Sequence, residues 1–110
     1  MIWSCEINYS GFEDDIQHHH FFIESEIKPT EEEVVEHYNF HHFVARGNRE
    51  DGEWMWHNWI RKASLEEKDM SYTGWVALYN DGSGEVDYDN VYISIKPLKV
   101  EKLDDAGERR

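Results

Sequence analysis

The chain has 110 residues, which is enough for one domain with one core and too few for a second. Hydrophobic residues make up 39% of it and aromatic residues 15%. The chain can therefore bury enough apolar surface to fold, and this composition excludes intrinsic disorder. The 24 acidic and 11 basic residues give a formal net charge of -13, which excludes nucleic acid and anionic lipid as expected direct partners because like charges repel.

The amino-terminal part of the chain predicts an antiparallel hairpin. In IWSCEINY, which starts at Ile2, apolar and polar side chains alternate with the period of a half-buried strand. SGFEDD follows as a turn with Gly11 at its bend, and IQHHHFFIESEI returns as a second strand. The side chains expected to face inward are Trp3, Cys5, Ile7 and Tyr9 on the first strand and Phe21, Ile23 and Ile27 on the second.

A helix is predicted over about residues 30 to 46. Thr30 is suited to the N-cap, and Glu33 three residues later completes a capping box. Acidic residues suit the positive end of the helix dipole, while Arg46 suits the other end and Gly47 can terminate the helix. The pattern predicts a shared stripe of Val34, Tyr38, His41 and Ala45, with Val35 and His42 beside it.

GEWMWHNWI, residues 52 to 60, is the most aromatic stretch of the chain. Read as a strand, it places Trp54, Trp56 and Ile60 on one face and Met55, His57 and Trp59 on the other. Read as a helix, Trp56, Trp59, Ile60 and Ala63 share a face equally well, and the aromatic enrichment favours the strand. The three indoles are either core side chains of a small domain or a surface that a partner covers.

The carboxyl-terminal part predicts a second hairpin. SYTGWVALYN and NVYISIKPLKV flank DGSGEVDYD, with a bend at the Asp81-Gly82 step. Val91, Ile93 and Ile95 are expected to face inward, and Pro97 is expected at an edge or bulge. The predicted fold is α+β, an antiparallel sheet of four or five strands with one main helix packed on one face. It forms a single acidic domain over residues 1–103, followed by a flexible tail over residues 104–110.

The single cysteine and the hydropathy pattern bear on where the protein acts. Cys5 excludes an internal disulfide and a four-cysteine zinc site, and its place in an alternating strand predicts a buried structural thiol. The sequence has neither a run of about 18 apolar residues nor a signal-peptide pattern, so we expect a soluble cytoplasmic protein.

The acidic residues are the leading candidates for a binding site. Residues 1–45 contain ten acidic residues and one basic residue, Lys28, so the amino-terminal part carries most of the excess charge. Acids two apart on a strand or four apart on a helix are spaced by about 5 to 7 Å, near the spacing of successive phosphates on a nucleic-acid strand. The candidate partner-binding residues are Glu24, Glu26, Glu31, Glu32, Glu36, Glu85, Asp87 and Asp89, with Trp54 and Trp59 as aromatic anchors.

These candidates predict a non-enzymatic protein-binding inhibitor with no cofactor and no catalytic residue. Its expected partner is a basic protein surface. More specifically, we expect the surface of a nucleic-acid-binding protein. The inhibitor would block that protein by mimicking nucleic acid, as small phage-encoded antagonists of host defence do. One alternative is a metal-dependent enzyme or sensor that uses His18 and His20 on the strand and His37 and His41 on the helix. Another alternative is a structural subunit of a larger assembly.

A calcium loop at residues 81–92 is excluded, because Val86 occupies the glycine position and Tyr92 the position of the bidentate glutamate.

Overall fold

Six strands and one helix make up the described part of the chain. The computed structural model describes residues 1–10, 16–42, 58–79 and 82–100. In chain order the elements are β1 (Ile2–Ser10), β2 (Ile16–Glu24), α1 (Glu31–His41), β3 (Ile60–Lys62), β4 (Trp75–Leu78), β5 (Val86–Tyr88) and β6 (Val91–Pro97). Within these residues, no helix has the length and apolar character needed to cross a bilayer. The predictions for the turn at Gly11, for Trp54 and Trp56, and for the tail over residues 104–110 fall outside the described residues.

The first sheet contains β1 at its centre, with β2 and β6 at its edges. The predicted amino-terminal hairpin is confirmed, because β1 pairs antiparallel with β2 from Ile2 opposite Glu24 to Ser10 opposite Ile16. The alternation is confirmed as well, since the predicted inward side chains of β1 are all buried: Trp3, Cys5, Ile7 and Tyr9. Burial raises the pKa of the Cys5 thiol.

The second strand of the hairpin is shorter than its pattern predicted. Phe21 is buried and Ile23 packs against the core, but Ile27 is 77% exposed, so its predicted inward orientation is wrong. The reason is that β2 ends at Glu24, after which the Ser25 amide donates to the Met1 carbonyl and the chain bends away from the ladder. Beyond that point the two-residue period no longer determines which side is buried.

The second sheet has the order β3-β4-β5, so the prediction of a single sheet of four or five strands is wrong although the α+β class is confirmed. The predicted carboxyl-terminal hairpin is divided: β4 pairs with β5, whereas β6 pairs with β1 of the first sheet. The chain changes sheets at a bend around Asn90, whose Oδ1 accepts the amides of Tyr72 and Thr73 at 2.5 and 3.3 Å. Such a bend lets consecutive strands belong to two packed sheets.

Although β6 pairs with β1 and not within the predicted carboxyl-terminal hairpin, two local predictions for β6 are confirmed. Val91 is fully buried, and Ile93 and Ile95 pack against the core, which confirms the inward face of the last strand. Pro97 is the last residue of β6, an edge strand, as predicted.

The helix begins as predicted. The Glu33 amide donates to Thr30 Oγ1 at 3.1 Å and the Thr30 amide donates to Glu33 Oε1 at 2.9 Å, so the capping box is confirmed. α1 ends at His41, and the predicted residues Ala45, Arg46 and Gly47 lie outside the described residues. The buried residues are Val34, Val35, Tyr38 and Asn39, whereas His41 is exposed, which corrects the predicted stripe.

One core joins the helix to both sheets. Val34, Val35 and Tyr38 pack with side chains from the inner face of the first sheet, and the cluster continues into the second sheet through Ile60 and Trp75. The amide of Asn39 supports this contact, because its Nδ2 donates to the Ile60 carbonyl at 2.8 Å and its Oδ1 accepts the Ile60 amide at 3.1 Å. The helix is therefore held along one side, and its opposite side faces solvent.

Candidate partner-binding surface

The solvent-facing side of α1 carries two rows of side chains. Glu32, Glu36 and Phe40 recur every four residues and so lie along one row, with about 5 to 6 Å between neighbouring Cβ atoms. Glu33, His37 and His41 form the second row. Between the rows lies a groove of about 360 Å³, which we call the α1 groove; it is lined by Glu33, Glu36, His37, Phe40 and His41.

Two aromatic rings are exposed at the carboxyl-terminal end of this surface. Phe40 is 71% exposed and Trp59 is 37% exposed. Their ring centroids lie 6.3 Å apart in an edge-to-face arrangement. Trp59 was a predicted anchor and lies at the surface, whereas Trp54 falls outside the described residues. Phe40 was not among the predicted anchors, although its position opposite the buried face of the helix is the signal that identifies it.

The predicted helix carboxylates have different partners. Glu32 Oε1 lies 2.6 Å from Lys62 Nζ, and the hydrogen bond from Lys62, followed by a backbone hydrogen bond, lowers the pKa of Glu32. Glu31 accepts a hydrogen bond from Trp75 Nε1 at 3.1 Å. Among the described residues, Glu36 has no hydrogen-bonding or ion-pair partner and is exposed. Glu36 is therefore the carboxylate of the α1 groove that is available to a ligand.

The other predicted acids lie away from α1 on separate elements. Glu24 is the last residue of β2 and Glu26 lies in the bend that follows, and both are exposed. Glu85 and Asp89 are exposed on either side of β5. Asp87, between them, is half-buried and accepts a hydrogen bond from Asn58 Nδ2 at 2.9 Å. The structure therefore does not present residues 85–89 as a uniform ladder of free carboxylates.

The four histidines of the metal alternative lie on two surfaces. His18 and His20 are exposed on the outer face of the first sheet, where His20 Nε2 lies 2.7 Å from Ser4 Oγ. His37 instead stacks on Phe21, which points to the inner face of the same strand, and His41 neighbours His37 on α1. Within the described ranges, no three His, Cys, Asp or Glu side chains group as metal ligands. The structure thus does not bring the two predicted histidine pairs together.

Three imidazoles cluster at the carboxyl-terminal end of α1. The ring of His37 lies 4.5 Å from that of His41 and 5.4 Å from that of His42, and 5.2 Å from the ring of Phe21. Burial, followed by the charges of His41 and His42, lowers the pKa of His37 below its usual 6.5. The unfolded chain therefore binds a proton at His37 more readily than the folded chain does.

This difference predicts that acid destabilises the fold through His37. Because the folded-state pKa is the lower one, the contribution of neutral His37 is complete above pH 6.5 and is lost as the pH falls through the folded-state pKa. We expect the free energy of unfolding in urea to fall between about pH 7.5 and about pH 5.5, and His37→Gln to reduce that fall. His18→Gln is the control, because His18 is exposed on the outer face of the first sheet, away from His37, and it should reduce the fall less than His37→Gln does. Equal losses in wild type and His37→Gln would contradict the prediction.

A buried polar network joins α1 to both sheets. Tyr9 Oη donates to Asn58 Oδ1 at 3.1 Å, and Tyr38 Oη donates to the Asn58 carbonyl at 2.8 Å. Asn58 Nδ2 in turn donates to the Leu78 carbonyl at 2.7 Å and to Asp87. Burial raises the pKa of Tyr38 far above its usual range, so its hydroxyl remains a donor at physiological pH. The sequence patterns did not identify Asn58, because a single asparagine beside tryptophans carries no periodic signal.

Comparisons with protein-family models, with curated proteins and with solved structures found no match.

Proposed function

We propose that the protein is a non-enzymatic binding protein that engages a basic protein surface through the α1 groove. The observation that carries the proposal is the exposed ring of Phe40 next to the free carboxylate of Glu36 on one helix row. Carboxylates within a net charge of -13 attract a cationic surface and orient it. Exposed aromatic rings supply contact area from which a partner excludes water. The combination suits a protein partner better than a simple cation.

The sharper form of the proposal is an inhibitor of a nucleic-acid-binding protein, acting in the cytoplasm as phage anti-defence proteins do. Glu32 and Glu36 lie on one helix at a spacing similar to that of successive phosphates along one strand, and Glu32 exchanges its contact with Lys62 for a cation of the partner. Glu24, Glu26, Glu85 and Asp89 add negative charge elsewhere on the surface. A partner whose cationic channel binds a nucleic-acid backbone can bind such an array instead.

The test compares two double charge reversals. Glu32→Lys with Glu36→Lys changes the α1 surface. Glu66→Lys with Asp69→Lys makes the same change in net charge at exposed positions of a turn between β3 and β4, residues 65–70. In capture from a lysate followed by mass spectrometry, the α1 variant should lose its basic partner roughly tenfold or more, and the turn variant should retain it. The captured partner should also be released as salt rises, because screening weakens charge pairs. For the inhibitor form, added duplex DNA or RNA should compete with the protein for that partner.

Two results would count against the proposal. Equal loss of the partner in both variants would show that net charge matters and the α1 groove does not. Capture that is indifferent to salt but depends on Trp59 would favour the structural-subunit alternative.

A further inference from the structure

We infer that the α1 groove is selective for arginine side chains over lysine side chains, an inference that rests on the proposed binding function. It concerns the chemistry of the cationic group that the groove accepts. Two separate features of the groove support the inference: the rings that line it and the free carboxylate of Glu36.

Planar groups make up most of the lining. Phe40 lies at one side, and Trp59, which is outside the lining, packs edge-to-face with it at 6.3 Å between ring centroids. The imidazoles of His37 and His41 lie at the other side, with their centroids 4.5 Å apart and with His37 also stacked on Phe21. A guanidinium is planar and weakly hydrated, so it stacks on rings, whereas the ammonium of lysine is compact and strongly hydrated. The rings of the lining therefore favour the binding of a planar cation.

The carboxylates favour the same ligand. Glu33 Oε1 already accepts the Thr30 amide, which holds that side chain at the helix start. Glu36 has no partner among the described residues, so both of its oxygens are available to the forked donors of a guanidinium. The groove volume of about 360 Å³ is near the lower limit of ligand pockets, about 300 to 1,000 Å³, which suits a side chain of a longer basic segment.

Two peptides of equal charge test the inference: acetyl-(Gly-Arg)₃-amide and acetyl-(Gly-Lys)₃-amide. Calorimetric titration of the full chain should give a Kd up to about 5-fold lower for the arginine peptide, the upper limit being the full contribution of one exposed cation stacked on a ring, because lysine gains part of the same contact. Phe40→Ala should remove the preference, and Phe40→Leu should also remove it, because leucine keeps apolar area without a π face. Phe22→Ala is the matched control: Phe22 is 53% exposed but lies on the outer face of the first sheet, so the preference should persist.

The possible failures are distinguishable. Equal affinity for both peptides, with binding still lost on reversal of Glu32 and Glu36, would overturn arginine selectivity and leave the proposed function standing. A preference that survives in Phe40→Ala would overturn it too. Absence of binding by either peptide, or binding that the reversal does not change, would overturn the proposed function together with the inference.

Discussion

Asn58→Ala should lower the free energy of unfolding by about 2 to 4 kcal/mol, since it removes three hydrogen bonds worth about 0.5 to 1.5 kcal/mol each, and more for the one that a carboxylate accepts. Asn58 is 4% exposed, and its side chain bonds to Tyr9, to the Leu78 carbonyl and to Asp87. Truncation to alanine removes all of these hydrogen bonds at once. Urea unfolding followed by tryptophan fluorescence measures the loss.

Asn8→Ala is the matched control for this substitution. Asn8 is the same residue type, but it lies half-buried on the outer face of the first sheet, opposite His18 and Tyr92. Its replacement should change stability by no more than about 0.5 kcal/mol, as is usual for surface substitutions. Equal effects of Asn58→Ala and Asn8→Ala would contradict the role of Asn58 as a link between the two sheets and α1.

Local patterns explain why parts of this fold are readable from sequence. The alternation in β1 determines which side chains are buried, because successive strand residues face opposite sides of the sheet. The start of α1 is equally readable, since Thr30 and Glu33 satisfy helix amides within a few residues of themselves. Neither feature depends on contacts with distant parts of the chain.

The division into two sheets depends on contacts between residues far apart in the sequence, so local periodicity does not predict it. The bend at Asn90 is held by the amides of Tyr72 and Thr73, which lie 18 and 17 residues away in the sequence. The hydroxyl partner of Tyr9 is more distant still, because Asn58 is 49 residues away. Periodicity places the Tyr9 ring inside but gives no information on which polar group meets its hydroxyl.

The candidate site was readable only in part for the same reason. Placing Glu32 and Glu36 on a helix required only the helix prediction. The pairing of Glu32 with Lys62 and the contact of Phe40 with Trp59 join α1 to residues near β3, so they depend on how the helix packs. The helix buries Asn39 rather than His41, and this orientation leaves the rings of Phe40 and His41 exposed to solvent.

Ile7→Ala should lower the free energy of unfolding by about 2 to 5 kcal/mol, the usual cost of removing a large buried aliphatic side chain. Ile7 is fully buried at the middle of β1, between His19 of β2 and Ile93 of β6. Because β1 has a paired strand on each side, the surrounding backbone can collapse little into the cavity. Urea unfolding measures the change.

Ile2→Ala gives the comparison on the same strand, because Ile2 is 41% exposed and its truncation should cost well under the loss at Ile7. A small loss at both positions would mean that the inner face of the first sheet is not the core on which α1 packs. Since the rows of the α1 groove are exposed only because Val34, Val35 and Tyr38 are held in that core, such a result would also remove the physical basis for the proposed surface.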